Sequence, residues 1–154
     1  MNRALGLVAA QLLLLAALVL MPHDALWSVG AVGIGVAIVL VLVGAVLAIL
    51  GAVGLGPALT ASPIPRPDAR LVTSGVYGVV RNPIYTGLLV GGLGLVVLGA
   101  SVWHIVTWVA LLLLLAGKAR WEERMLRAKH PEFDDYAARV GRFVPGIGRL
   151  RSPR

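Results

Sequence analysis

The chain alternates long apolar runs with short polar breaks. Uncharged, mostly apolar runs cover residues 4–21, 29–56, 83–100 and 102–117. A helix rises about 1.5 Å per residue, so about 20 residues cross a hydrocarbon core of about 30 Å. The pattern therefore predicts an all-α fold: a polytopic membrane bundle of four transmembrane helices, followed by a cytoplasmic helical segment over residues 118–145. We interpret residues 1–154 as a single domain.

The first two runs carry further signals. The first ends at Pro22 without a small-x-small cleavage site, so we interpret it as a transmembrane helix rather than a cleaved signal peptide. In the second run, small residues recur every four positions, at Gly44, Ala48, Ala52 and Gly56. Such a ridge lets a neighbouring helix approach closely. It predicts a packing seam and leaves a homodimer open.

The connection between the second and third runs differs from the other connections. It covers Pro57–Asn82 and contains four prolines before Val72, which prevent a continuous helix. A long irregular connection in a compact domain is usually functional or disordered, and we favour a functional one. The third and fourth runs, by contrast, almost touch in sequence, which predicts a tight antiparallel hairpin. That hairpin brings the residues before Pro83 to the same end of the bundle as those after Gly117.

Charge orients the predicted bundle. The net charge is +7, and ten of the fourteen Lys and Arg residues lie between Lys118 and Arg154. With four crossings, every Lys and Arg falls on one side, which the positive-inside rule assigns to the cytoplasm together with both termini. Basic residues directly after an apolar run favour contact with anionic membrane lipids, and we expect no nucleic-acid partner. The absence of cysteine removes thiolate chemistry.

Two polar clusters flank the hairpin and should meet at its cytoplasmic end. The first contains Tyr77, Arg81, Asn82, Pro83, Tyr85 and Gly87; the second contains Glu122, Glu123, Tyr136 and the stretch 142–145. Because the hairpin turn is short, we expect Arg81 and Glu122 to share one site. We also expect the C-terminal segment to turn its apolar side chains inward and its Lys and Arg side chains outward.

Several of these residues also have simpler interpretations. Asn82 and Pro83 form a good helix start, with Asn as the N-cap and Pro at the first helical position. Gly87 fits a packing notch. Glu123 and Arg127, four residues apart, fit an exposed ion pair. The three histidines lack ligand spacing, so no metal site is predicted.

Taken together, the clusters carry a resemblance. The series Arg81-Asn82-Pro83-x-Tyr85-x-Gly87, then Glu122-Glu123 after one hairpin, then a tail from Tyr136 to Pro145, resembles the isoprenylcysteine carboxyl methyltransferase family and the related phospholipid methyltransferases. The resemblance covers roughly residues 54–145. It implies an integral membrane methyltransferase that binds S-adenosylmethionine on the cytoplasmic side and methylates a lipophilic small molecule or lipid. At the position of Asn82 the carboxyl methyltransferases usually have histidine. The phospholipid methyltransferases share this departure from histidine.

The resemblance also implies roles for particular residues. It points to Arg81 and Glu122 as catalytic, and to a cofactor-binding set of Tyr77, Asn82, Pro83, Tyr85, Gly87, Glu122, Glu123 and Tyr136. The acceptor stays open. A carboxylate acceptor needs a cation such as Arg81 or Arg120, whereas an amine acceptor needs a base such as Glu122.

Two other functions fit parts of the pattern. One is a membrane reductase of sterol-reductase-like architecture that uses NADPH. The other is a non-enzymatic membrane protein whose basic tail binds lipid or a partner. Cofactor binding separates the three hypotheses.

Overall fold

The computed structural model describes residues 2–56 and 70–150, and within these ranges the chain is all-helical, which confirms the predicted class. The prolines of the predicted polar connection, with Arg66, lie outside the described residues. The five α-helices are α1 (Asn2–Leu20), α2 (Ala31–Leu55), α3 (Pro83–Gly99), α4 (Val102–Lys129) and α5 (Phe133–Arg139). A 3-10 turn, Gly75–Gly78, precedes α3.

The helix bounds follow the apolar runs closely except in α4. This helix continues beyond the predicted end at residue 117 as far as Lys129. Residues 118–129 contain neither glycine nor proline, so nothing interrupts the helix before His130 and Pro131. Glu122 and Glu123 therefore belong to the same rigid helix as the apolar run, and not to a separate segment.

Two helices, α2 and α4, are long and apolar enough to cross a membrane, and two shorter apolar helices lie over Ala4–Leu20 and Pro83–Gly99. Four crossings, with both termini in the cytoplasm, stay a prediction. The outward faces of α1 and α2 are strongly apolar; Leu13, Leu20, Val32 and Val53 are each more than 70% exposed. Large exposed apolar surfaces are unusual on soluble monomers and suit contact with lipid.

Small residues let the backbones of α2 and α3 lie in direct contact. A Cβ atom added at Gly44 would lie 2.5 Å from the Gly87 carbonyl oxygen, and one added at Gly87 would lie 2.6 Å from the Ala48 nitrogen. The predicted ridge is thus confirmed as a seam at Gly44 and Ala48. Gly56, with a φ of 48°, ends α2 instead and has open space beside it. Because the seam is filled within one chain, it no longer argues for a homodimer.

We expect Gly44→Ala to force α2 and α3 apart, because the added methyl group meets backbone atoms that cannot rotate away. Overpacking of this kind costs about 1–3 kcal/mol. Thermal unfolding of the detergent-solubilised protein measures it as a lower Tm. Gly35→Ala on the same helix is the matched control, since nothing lies within 4 Å of its added methyl group. An equal Tm for the two variants would contradict the seam.

The hairpin between α3 and α4 has the predicted tightness. Only Ala100 and Ser101 separate the two helices; Ala100 has a left-handed φ of 44°, and the Ser101 side chain accepts a hydrogen bond from the Trp103 backbone N–H. Trp108 Nε1 also donates to the Leu89 carbonyl oxygen at 2.9 Å. The start of α3 and the last three turns of α4 therefore lie at the same end of the bundle.

Candidate functional site

A buried ion-pair network joins the start of α3 to α4 and to the chain after α5. Glu123 accepts from Arg81 Nε at 3.1 Å, and from Arg142 at 3.0 Å and 2.7 Å. The side chains of Arg81 and Glu123 are only 2% and 9% exposed. The Asn82 amide adds a further donor to Glu123 at 3.3 Å. Such charge-assisted hydrogen bonds are strong when they are shielded from water.

Arg81 also binds the backbone of the C-terminal segment. Its Nη1 donates to the carbonyl oxygens of Ala137 and Val140, and its Nη2 donates to Gly148 at 2.9 Å. The Arg81 backbone N–H donates to the Gly141 oxygen at 2.8 Å. Four of the five guanidinium N–H groups are therefore engaged within the protein. This geometry suits a residue that positions the C-terminal segment better than one that grips a substrate, so the predicted catalytic role of Arg81 stays untested.

Glu122 has different surroundings from its neighbour. Tyr85 Oη donates to Glu122 Oε1 at 2.5 Å. The ammonium of Lys118 lies 5.1 Å from the centre of the Tyr85 ring and donates to Gln11 Oε1 at 2.6 Å. Within one turn of α4, Glu122 thus contacts the hydroxyl of Tyr85 and Lys118 lies over its ring. The described hydrogen bonds engage only Oε1 of Glu122, which leaves Oε2 to meet a ligand.

Two tyrosines connect α5, the 3-10 turn and α2 by hydrogen bonds. Tyr136 Oη donates to the Tyr77 carbonyl oxygen at 2.6 Å, and Tyr77 Oη donates to the Gly51 carbonyl oxygen at 3.1 Å. Burial raises the pKa of Tyr136 to about 12 and also raises the pKa of Tyr77. Both phenols therefore stay protonated at neutral pH and act as donors. They tie α5 to the 3-10 turn, and the turn to α2.

The structure brings the predicted site residues to one end of the bundle, as expected, but it corrects several contacts. Arg81 and Glu122 do lie at the same end of the bundle, but the ion pair of Arg81 is with Glu123. The exposed Glu123–Arg127 ion pair is wrong: Glu123 faces inward, and Arg127 pairs with Asp134 at 2.7 Å. Asn82 does occupy the N-cap position, yet its side chain makes no capping hydrogen bond, because it points to Glu123.

Pro83 and Gly87 belong to helix packing. The Pro83 side chain is among the most completely buried in the protein, and Gly87 lies against the backbone of α2. The predicted cofactor contacts of Pro83 and Gly87 stay a prediction, and the observed contacts of Gly87 are with α2.

Three residues of this region were not among the predicted catalytic or cofactor-binding residues, although Arg142 belongs to the second predicted cluster. Arg142 completes the Glu123 network, Lys118 faces inward instead of outward with 4% exposure, and Gln11 from α1 holds it. One signal was available for Gln11, since it is the single polar side chain in the run 4–21. The pairing of Arg142 with Glu123 depends on how the chain returns after α5, which no local pattern gives.

No group of three or more His, Asp or Glu side chains suited to a metal ion occurs in the part of the chain that the structure describes. Two histidines do approach each other. The rings of His23 and His104 lie 5.9 Å apart, at the opposite end of α4 from Glu122.

Similarity to known proteins covers the middle of the chain. A family model described as phospholipid methyltransferase matches residues 32–132. The nickel-cobalt-cadmium resistance protein NccN of Alcaligenes xylosoxydans xylosoxydans is 35% identical over 88 residues, which are 56% of this chain and 41% of that protein. The cobalt-zinc-cadmium resistance protein CzcN of Cupriavidus metallidurans is 37% identical over 87 residues, 56% of this chain and 40% of that protein. The chain thus spans about two fifths of the length of these relatives.

Proposed function

Because the chain belongs to the phospholipid methyltransferase family, we propose that it transfers a methyl group from S-adenosylmethionine to a lipophilic acceptor at the cytoplasmic side of a membrane. The observation that carries the proposal is the pair of adjacent glutamates with separate tasks. Glu123 is locked between two guanidinium groups, whereas Glu122 is held by one phenol and keeps an oxygen for a ligand. Glu123 thus stabilises the end of the bundle, and Glu122 takes part in cofactor binding and methyl transfer.

The residues present fit this cofactor. Its ammonium and ribose hydroxyls need carboxylate acceptors, and its carboxylate needs a cation or backbone N–H groups. Glu122 on α4 supplies a carboxylate acceptor, and the Tyr85 hydroxyl on α3, whose proton is donated to Glu122, supplies a second acceptor. Basic side chains of the last turns of α4, such as Arg120 and Arg124, supply cations. Of the cofactor-binding set, we assign direct contact to Glu122 and Tyr85. Tyr77, Asn82, Glu123 and Tyr136 hold the surrounding elements in register.

When bound, S-adenosylmethionine would supply a methyl group on a sulfonium, with the neutral thioether as the leaving group. The protein then has to align the acceptor, exclude water and balance charge. The electron pair of the new bond comes from the acceptor. A carboxylate acceptor loses no proton in this step, whereas an amine acceptor loses one, and Glu122 is the nearest base to receive it.

The two relatives are named for resistance to metals, but we assign no metal substrate to this chain. We propose none, because the described residues assemble no cluster of three metal-ligating side chains. The family match also favours methyl transfer over the reductase hypothesis, since the matched region includes both glutamates.

Calorimetric titration of the purified protein tests the proposal. We expect S-adenosylhomocysteine to bind and NADPH not to bind. Incubation with radiolabelled cofactor and a total lipid extract should then label a lipid; label released as volatile product in base identifies a methyl ester, and stable label identifies an amine. Binding of NADPH, or of neither compound, would overturn the methyltransferase assignment.

A further inference from the structure

Lys118 is a buried cation in an apolar helix. It lies on α4 directly after the fourth apolar run, and the residue is only 4% exposed. Long basic side chains near a helix end ordinarily extend toward water. Here the ammonium turns inward, where the Gln11 side-chain oxygen from α1 accepts from it at 2.6 Å and the Tyr85 ring from α3 lies 5.1 Å away. Three helices thus fix its position.

The charge of this ammonium is not balanced by an ion pair. Lys118 forms none with any residue that the structure describes, while the neighbouring carboxylates are engaged elsewhere. Glu122 accepts from Tyr85, and Glu123 accepts from Arg81 and Arg142. Glu122 attracts the ammonium through space but forms no ion pair with it. Ionisable residues inside membrane bundles commonly mark substrate sites.

The donors of the ammonium also exceed its described acceptors. A lysine ammonium has three N–H donors, of which Gln11 takes one, and the Tyr85 ring offers only its π face. A ligand oxyanion would complete both the hydrogen bonds and the charge. Glu122 lies one helical turn further along α4, where side chains four residues apart are about 5–6 Å from each other at Cβ. An anion at Lys118 would therefore lie next to the proposed site of methyl transfer.

We propose that Lys118, positioned by Gln11, is the residue that binds an oxyanion of the methyl acceptor and so selects acceptors that carry one. This inference rests on the proposed function and names the residue that would hold the acceptor. With a carboxylate, Lys118 holds the nucleophile itself, and the new carbon–oxygen bond forms without loss of a proton. With an aminophospholipid, Lys118 holds the phosphodiester while the amine gives its proton to Glu122. Gln11 lies on α1, outside the residues 32–132 that the family model matches.

Direct binding of amphiphiles to the purified full chain tests the inference. One pair of probes is a fluorescent long-chain fatty acid and its methyl ester; the other is a lysophosphatidylethanolamine and the matching monoacylglycerol. We expect the protein to bind at least one member that carries an oxyanion at least tenfold more tightly than its partner without one. The pair that shows the preference identifies the carboxylate or the phosphodiester. Equal affinities within both pairs would overturn the inference.

Variants then assign the preference to Lys118. Lys118→Gln should reduce it to less than twofold, and Lys118→Arg should keep most of it. Arg124→Gln, which removes an exposed cation from the same helix, should leave it unchanged. A preference that survives Lys118→Gln, or that Arg124→Gln abolishes equally, would contradict the assignment.

Parallel titration with S-adenosylhomocysteine separates this inference from the proposed function. We expect all three variants to bind it within twofold of the unchanged protein. If the unchanged protein prefers anions but does not bind S-adenosylhomocysteine, the methyltransferase proposal fails alone. If Lys118→Gln loses S-adenosylhomocysteine binding together with thermal stability while Lys118→Arg does not restore the anion preference, Lys118 is a structural residue and the inference fails.

Discussion

Glu123→Ala is expected to release the C-terminal segment from the helical bundle. The substitution leaves the buried guanidinium of Arg81 without its carboxylate and removes the bidentate partner of Arg142. Removing one partner of a buried ion pair costs about 3–5 kcal/mol, because the remaining charge stays desolvated. We expect a markedly lower Tm and faster tryptic cleavage after Arg139, measured on the detergent-solubilised protein. Binding of S-adenosylhomocysteine should be lost with the segment.

Glu132→Ala is the control for Glu123→Ala. Its side chain is 60% exposed, and its carboxylate lies 3.4 Å from the His130 ring nitrogen. Exposed ion pairs contribute about 0–1 kcal/mol, so this variant should keep its Tm and its resistance to trypsin. If Glu123→Ala behaved like Glu132→Ala, the network would be a local surface feature, and Arg81 would be free for a catalytic role.

The fold was largely predictable because the bilayer imposes a strong pattern. Predicted runs at 29–56 and 83–100 became helices at Ala31–Leu55 and Pro83–Gly99, and the short hairpin turn followed from the lack of intervening residues. The end of α4 was not predicted, because hydropathy marks where a membrane ends and not where a helix ends. Polar residues with good helix propensity simply continued it to Lys129.

The roles of the two glutamates could not be predicted from their position on one helix. Helical spacing alone favoured an exposed pair between Glu123 and Arg127, since i, i+4 partners are always within reach. The observed partner, Arg142, comes from chain that folds back after α5. Its backbone N–H donates to the Ile147 oxygen at 2.8 Å, and its carbonyl oxygen accepts from the Asn82 N–H at 3.1 Å. These long-range contacts decide which carboxylate is buried.

The inward orientation of Lys118 was also not predictable from its own helix, because it depends on a residue of α1. The excess of basic residues after the apolar run correctly suggested a polar face, and Arg120 and Arg124 are exposed as expected. Lys118 differs because α1 presents Gln11 at the right height to accept from it. A single polar residue in an apolar run is the kind of signal that identifies such a partner, since an unpaired amide inside a membrane bundle is costly.

Glu122→Gln is expected to abolish most methyl transfer while it preserves the fold. The glutamine carbonyl can still accept from Tyr85, so the local packing survives, but the negative charge and the proton-accepting oxygen are lost. General-base and electrostatic contributions of this kind are worth about 100-fold to 10,000-fold in rate. We expect at least a 100-fold fall in kcat/KM with labelled cofactor and the preferred lipid, and a Tm within a few degrees of the unchanged protein.

The companion variant Tyr85→Phe locates the origin of that loss. It keeps the ring beneath Lys118 and the charge on Glu122 and removes only the hydrogen bond that fixes the carboxylate. If Glu122 acts as a base on an amine, Tyr85→Phe should lower kcat less than Glu122→Gln does, and it should weaken S-adenosylhomocysteine binding only through the loss of the Tyr85 hydroxyl contact. If Glu122 chiefly holds the cofactor, both variants should weaken that binding in proportion to their loss of activity. Activity of Glu122→Gln within twofold of the unchanged protein would exclude both roles, and the separate tasks assigned to the two glutamates would have to be abandoned.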